Sequence, residues 1–510
     1  MSLAIIFSRA RVGINAPLVT IEVHLSNGLP SFTIVGLPET SVREAKDRVR
    51  SAIINSGLEF PQRRITVNLA PADLPKDGGR FDLAIAIGIL AASKQISDKQ
   101  LYQYEFLGEL GLNGDIRTVI GEIPSAIACK KRNRINIMPS SNAVNATIIK
   151  GVTTLSAGSL LKVVEHFSGK TQLPEPDISN AETNKILTEQ GSKLPDIADV
   201  IGQPLAKRAL VIAAAGQHNI VFTGPPGTGK SMLAQRIASL MPELTDDEAL
   251  ELAAINSVSG KTFDIKKWRQ RPFRSPHHTA SAIALTGGGR PPRPGEISLA
   301  HNGILFLDEL PEFNRFALDA LREPLESGVI SISRAALQVE FPAQFQLVAA
   351  LNPSPTGHHT DGRANSTQVL KYLNRISGPF LDRIELQVDV PALPKGAINK
   401  QRDNGNKTSA YYKQRISEAR KLMMKRANKP NGLLSSKETA LHCKLDSADA
   451  TFLEDTIYRL NMSIRAYHKI LKVARTIADL DNSKQITRVH LSEALGYRSL
   501  ERLLKQLSNF

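Results

Sequence analysis

Residues 219–231 read NIVFTGPPGTGKS, and the end of this stretch fits the spacing G-x-x-x-x-G-K-[ST] at Gly224, Gly229, Lys230 and Ser231. Glycines at these places let backbone N–H groups turn inward around phosphate oxygens, and a following helix adds the free N–H groups of its first turn. Pro225, Pro226, Gly227 and Thr228 complete the loop. Lys230 would reach the β and γ phosphates, and Ser231 would ligate Mg²⁺. A glycine-rich turn can also arise by chance. Here an apolar run precedes the loop and a helical pattern comes after it, which favours a site for ATP and Mg²⁺.

Three further polar positions end apolar runs. GILFLDEL ends in Asp308 and Glu309. Asp308 would hold Mg²⁺ through water and Glu309 would polarise the attacking water; an acidic pair at a strand end is otherwise often a helix cap. LVAALNPSP places Asn352 at a third strand end, where an amide could orient water or sense a γ phosphate, or simply serve a turn. GPFLDRIEL offers Arg383. An arginine supplied in trans can raise phosphoryl-transfer rates by about 10³–10⁵; the alternative is a surface ion pair with Asp382 or Glu385.

These residues need a scaffold. NIVFTG, GILFLDEL and FQLVAALNP are short apolar runs that suit a parallel sheet covered on both faces, whose ligands bind at the carboxyl ends of its strands. The region 193–391 is therefore expected to be a doubly wound α/β ATPase core. Residues 1–170 alternate strand-like pieces (LVTIEVHLS, RRITVNLAPAD) with helix-like ones (TSVREAKDRVRSAIINSG, FDLAIAIGILAAS), an α+β pattern. Residues 171–192 are rich in proline and polar residues and read as a linker. From Lys395 to Pro430 eleven Lys or Arg stand against Asp403 and Glu418, so 392–433 reads as a basic linker and helix. Residues 434–510 are helical by pattern.

The chain has 510 residues and a formal charge of +15, an excess that points to a polyanionic partner, nucleic acid first. With 42% hydrophobic and 22% charged residues it reads as a soluble globular protein of several domains. Two cysteines far apart give no disulfide framework and no four-cysteine zinc site, which suits a reducing cytoplasm. No apolar stretch reaches the roughly 20 residues that span a bilayer, so no membrane segment is expected.

Taken in order, these motifs resemble the AAA+ ATPases of the magnesium-chelatase-like branch, and along the whole chain the ComM/YifB family. The stretches that carry the resemblance are SFTIVGLPETSVREAKDRVRSAI, RPFRSPHHTASAIALTGGGRPPRPGEISLAHNGILFLDEL, LNRISGPFLDRIEL and SIRAYHKILKVARTIADL. The resemblance implies a homo-oligomeric ring, a hexamer, with ATP between subunits. It makes Asn352 a sensor, Arg383 the finger that reaches the neighbour's nucleotide, and Arg465 a second sensor on a C-terminal helical lid. On its own sequence Arg465 is an ordinary solvated helix residue. VIGQ, Val200 to Gln203, resembles the segment near adenine in these ATPases.

The segment FRSPHHTASAIALTGGGRPPRPGEIS interrupts the core between two strands and carries Arg274, Arg290 and Arg293; GVISISRAALQVEF reads as a β-hairpin turning near Arg334. Long elements of this kind inside a compact domain tend to be functional. They could grip a DNA backbone through their arginines or pack between subunits. The family resemblance favours DNA, because it implies a helicase that extends strand exchange by branch migration in natural transformation. His277–His278 and His358–His359 are poor metal sites, since neighbours on an extended chain point to opposite sides. Relatives carry a C-P-C-G pattern after the asparagine; Ser354 and Thr356 stand there instead, so no structural zinc is expected.

The N-terminal region resembles the proteolytic domain of Lon proteases, whose nucleophile lies in K-D-G-P-S-A-G. The matching stretch is KDGGRFDLA, with Arg80 in place of the serine. A guanidinium cannot attack a carbonyl, so a non-peptidase domain used for binding or assembly is expected. Arg43, Lys46, Arg48 and Arg50 could form a second DNA surface, but Glu39, Glu44 and Asp47 among them favour an ordinary solvated helix. The leading expectation is an ATP-driven DNA motor acting on branched or single-stranded DNA. The alternatives are a chelatase-type motor that remodels a protein partner, a Lon-like regulatory protein, and a non-enzymatic scaffold.

Overall fold

The computed structural model describes residues 2–36, 42, 44–176, 194–260, 267–334, 337–355, 365–395 and 407–508. Its N-terminal part is built on a four-stranded sheet in the order Ser2–Arg9, Leu18–Ser26, Arg64–Ala70, Ser31–Val35. Leu18–Ser26 pairs antiparallel with both its neighbours, and Ser31–Val35 joins Arg64–Ala70 in parallel. The period of two read in LVTIEVHLS is the alternation of buried and half-buried residues along that strand. The helix Asp82–Ala92 packs on this sheet with every residue buried. A carboxylate there needs a partner, and Arg48 supplies it, its Nε 2.8 Å from Asp82. Burial still pushes the Asp82 carboxyl up to about 6 against that partner. Arg48 therefore turns inward, Arg50 lies over the Phe60 ring, and Arg43 falls outside the described residues. A parallel trio, Tyr104–Phe106, Ile135–Pro139 and Thr154–Ala157, completes this part.

Arg80 lies buried, with Nη2 donating to Ser125 Oγ at 3.0 Å. Ser125 in turn donates to Gly121 O at 2.8 Å, so this hydroxyl is engaged at both ends. Burial lowers the Arg80 pKa to about 10. Two of the contacts that join the N-terminal part to the rest of the chain are made at Glu122 and Gly13. Ser257 Oγ donates to Glu122 at 2.8 Å, and the turn at Gly13 (φ +59°) lies so close to the hairpin that a Cβ there would sit 2.5 Å from Val339 Cγ1.

The second part is a five-stranded sheet, ordered Phe273–Arg274, Ile304–Leu307, Gln346–Leu351, Ile220–Thr223, Leu386–Asp389, with all neighbours parallel. The three apolar runs read from the sequence are its three central strands, and every residue in them is buried. That is the environment of a parallel sheet covered on both faces. Phe273–Arg274, placed by the sequence at the start of an interrupting loop, is instead a short edge strand of this sheet. After it come a short helix, Ala282–Thr286, and a ribbon pairing Gly287–Gly288 with Arg293–Pro294. Gly287 is required in this ribbon: its φ is +99°, and a Cβ would stand 2.7 Å from Gly295 N. The predicted hairpin is present as Val329–Arg334 paired with Leu337–Pro342.

Beyond residue 407 the chain is helical, with Ser409–Ala427 and Ile464–Leu480 the longest elements. Met423, Leu453, Ile470, Ala474, Ile477 and Leu491 lie in one apolar cluster with Ile220, Phe222 and Val348 of the sheet. Arg498, 1% exposed, immediately precedes the last helix, Ser499–Ser508, and donates through Nη1 to Ile384 O at 3.2 Å. Among the described residues no helix is long and apolar enough to cross a membrane, and no cluster of three or more His, Cys, Asp or Glu is placed to hold a metal ion. Ser354 is buried; Thr356, His358 and His359 lie outside the described residues.

Candidate active site

Sheet order brings the chemistry together. Ile304–Leu307, Gln346–Leu351 and Ile220–Thr223 are neighbours, so the residues after their carboxyl ends (Asp308 and Glu309, Asn352, and the loop from Gly224) meet at one edge of the sheet. They line a cavity of about 390 Å³ with Pro226, Gly227, Thr228, Gly229, Lys230, Ser231 and Met232.

The loop runs from Gly224 to Gly229, the N-cap of the helix Lys230–Leu240. Gly227 and Gly229 have φ of +77° and +90°, a region that side chains disfavour. Gly224 is small for a different reason: a methyl there would overlap the Val390 carbonyl of the neighbouring strand end. Lys230 is buried, and its Nζ donates to Gly224 O at 2.7 Å, Pro225 O at 2.8 Å and Asn352 Oδ1 at 3.0 Å. Burial lowers its pKa, opposed by the Asp308 carboxylate. Ser231 Oγ donates to Asp308 Oδ2 at 2.7 Å. A hydroxyl and a carboxylate in contact beside a lysine held by carbonyl and amide oxygens could hold a divalent cation and a polyphosphate; both ligand types are hard oxygen donors suited to Mg²⁺. Thr228 Oγ1 donates to Pro225 O at 3.0 Å and braces the loop.

Glu309 adopts a left-handed backbone, φ 52° and ψ 49°, with its N–H donating to Asp308 Oδ1 at 3.0 Å. Such a conformation is strained for a non-glycine residue and gathers at functional sites. It sends the two acidic side chains to different tasks: Asp308 to Ser231, and Glu309 to His278, whose Nδ1 is 3.3 Å from Oε2. The expectation that His277 and His278 form an extended pair pointing apart is corrected here. A turn closed by Ala280 N–H donating to His277 O brings their rings to 4.1 Å, tilted by 35°, and His278 reaches the site.

The other singled-out residues lie elsewhere. Arg383 does not line the cavity. Its Nε donates to Arg322 O at 2.9 Å, its Nη1 to Pro379 O, and its Nη2 lies 2.8 Å from Glu326. The ion pair weighed from the sequence is thus with Glu326, while Glu385 accepts Asn219 N–H. Arg465 is exposed on the first turn of the helix Ile464–Leu480 and does not line the cavity either. In VIGQ, Gln203 Nε2 donates to Pro391 O at 2.7 Å, next to the Val390 carbonyl that bears on Gly224. Arg274 is held by Glu296 in a bidentate pair at 2.6 and 2.7 Å. Arg290 and Arg293 are exposed and form no ion pair with a described carboxylate. Arg334 ends the first hairpin strand.

Three family models match successive stretches of the chain. The family model described as magnesium chelatase, subunit ChlI, matches residues 196–398; the model for subunit ChlI of Mg-chelatase matches 21–142, and the ChlI C-terminal model matches 406–498. The chain is 55% identical to competence protein ComM of Haemophilus influenzae over 100% of both chains. It is 53% identical to the uncharacterized protein YifB of Escherichia coli over 99% of each. It is 37% identical to the uncharacterized protein Mb2921c of Mycobacterium bovis over 98% of this chain and 99% of that one. Identity that runs from end to end, rather than over the phosphate loop alone, makes this chain a member of the ComM/YifB family of magnesium-chelatase-like proteins.

Proposed function

We propose that the chain is an ATP-hydrolysing ring motor that acts on DNA, a branch-migration helicase serving recombination during natural transformation. The observation that carries the ATPase reading is the Ser231–Asp308 contact of 2.7 Å beside Lys230 and Asn352, at the ends of three adjacent strands. In this reading the loop N–H groups and Lys230 hold the triphosphate, and Ser231 and Asp308 hold Mg²⁺. Bound Mg²⁺ supplies charge neutralisation to the transferring phosphoryl group. Glu309 orients and deprotonates water, Asn352 reports on the γ phosphate, and Arg383 and Arg465 serve as finger and second sensor at a subunit seam. Arg383 must exchange Glu326 for phosphate oxygens to do so. Support for DNA comes from the +15 charge, from exposed Arg290 and Arg293 on the ribbon, and from a full-length relative whose name is that of a competence protein.

The chelatase names of the matching family models favour a second reading, a motor that remodels a protein partner. One assay separates the two: ATPase rate with and without forked DNA at low and high salt. A DNA motor is stimulated, and its DNA affinity falls steeply as salt rises. Lys230→Ala abolishes turnover. Indifference to every DNA offered at low salt, with stimulation by a protein partner, would overturn the DNA reading.

A further inference from the structure

The His277–His278 pair answered to no metal site, yet one of its rings stands at the acidic end of the cavity. His278 Nδ1 lies 3.3 Å from Glu309 Oε2. The turn that places it is closed by Ala280 N–H donating to His277 O at 2.9 Å. His277 Nδ1 meets Thr279 Oγ1 at 2.9 Å, and the His277 ring lies against the His278 ring at 4.1 Å, tilted by 35°. Among the described residues Glu309 has no other ion-pair partner; it is half exposed and sits on a strained backbone. A carboxylate in that condition samples several rotamers unless a neighbour selects one. A ring nitrogen 3.3 Å from one carboxylate oxygen is near enough to select a rotamer once it turns its N–H onto that oxygen, leaving the other oxygen for water.

The same histidine belongs to the segment that carries the exposed arginines. Its two ends are joined by the bidentate Arg274–Glu296 pair, and Leu285 anchors it in an apolar cluster with Ile297, Ile330 and Ile332. A load on Arg290 or Arg293 therefore acts on a braced unit, one edge of which touches Glu309.

We propose that His278 is a positioning residue for Glu309, and that it ties hydrolysis to occupancy of the arginine-bearing ribbon. The proposal rests on the ATPase and DNA readings above, and the experiment separates the three. Steady-state ATPase, with and without forked DNA, is measured for the wild type, His278→Ala, His278→Asn, Arg290→Ala/Arg293→Ala and the triple variant, with nucleotide affinity and melting temperature followed in parallel. His278→Ala should keep nucleotide affinity and KM within about twofold while kcat falls about tenfold to a hundredfold, the scale set by misplacing a catalytic group. Asparagine keeps an N–H donor near the Nδ1 position, so His278→Asn should recover most of kcat. The ribbon substitutions should abolish DNA stimulation in the wild type and cost nothing further in His278→Ala, as coupled residues do. His278→Ala at wild-type kcat, or Ala and Asn equally impaired, overturns the positioning role; losses that multiply overturn the tie to the ribbon. A wild type that turns over ATP without responding to DNA refutes the DNA reading and the tie, leaving the positioning role to be judged by the Asn rescue. A wild type without turnover refutes the ATPase reading itself.

Discussion

Gly224→Ala tests whether the phosphate loop works only when seated on the neighbouring strand. The methyl would overlap the Val390 carbonyl oxygen and stand 3.1 Å from its carbon and 3.3 Å from Thr228 Oγ1. These are backbone atoms and a hydroxyl already holding Pro225 O, so no flexible side chain can step aside. Restoring contact distance takes about 1 Å of backbone movement. Val390 is itself held, its N–H donating to Thr223 O at 2.7 Å, so the loop moves rather than the strand. Overpacking of this kind costs about 1–3 kcal/mol, and a reacting group displaced by 1 Å loses about 100-fold in rate. The assay is kcat and KM for ATP beside a thermal melt. Gly227→Ala is the contrast, since its Cβ would meet nothing within 4 Å but its φ is +77°; the strain of about 1–2 kcal/mol falls on the folded loop, so it should lower the melt modestly and weaken nucleotide binding by no more than about tenfold, with kcat near wild type. Gly224→Ala with wild-type kcat and melting temperature would refute the reasoning.

Other substitutions have equally specific outcomes. Ser231→Ala removes the hydroxyl 2.7 Å from Asp308 and should raise the Mg²⁺ concentration for half-maximal ATPase by about tenfold or more, read from rate against free Mg²⁺. Arg383→Ala should lower turnover by about 10³-fold or more with nucleotide affinity within about twofold; loss of affinity would assign Arg383 to the fold. Burial holds His218 at a pKa of about 4, below the ordinary 6.5. The unfolded chain thus binds a proton there that the native chain refuses, so stability is full above pH 6.5 and falls toward pH 4 by up to about 3 kcal/mol. Urea unfolding at pH 7 and pH 5 should show a smaller drop for His218→Gln than for the wild type.

Much of the site was legible because its signals are local. Apolar runs of four to six residues ending in a polar residue mark buried parallel strands, and the loop, Asp308, Glu309 and Asn352 come directly after them. The alternation in GVISISRAALQVEF set the register of the hairpin. What stayed hidden depends on distant partners. Arg274 finds Glu296 and Arg383 finds Glu326, pairings that no local spacing encodes. A two-residue edge strand such as Phe273–Arg274 is too short to show a period. His278 was hidden by the assumption of an extended chain, whereas a turn packs it against His277 and brings it beside Glu309.

The C-terminal helices share their apolar cluster with the sheet under the phosphate loop. A cap swinging freely on a hinge would expose that oil-like seam to water on every cycle of the proposed ATPase, so any nucleotide-driven motion in it should be a small shear of packed helices instead. In the proposed motor, Arg498 just ahead of the last helix would carry such a shear to the Ile384 carbonyl it holds, one residue from Arg383.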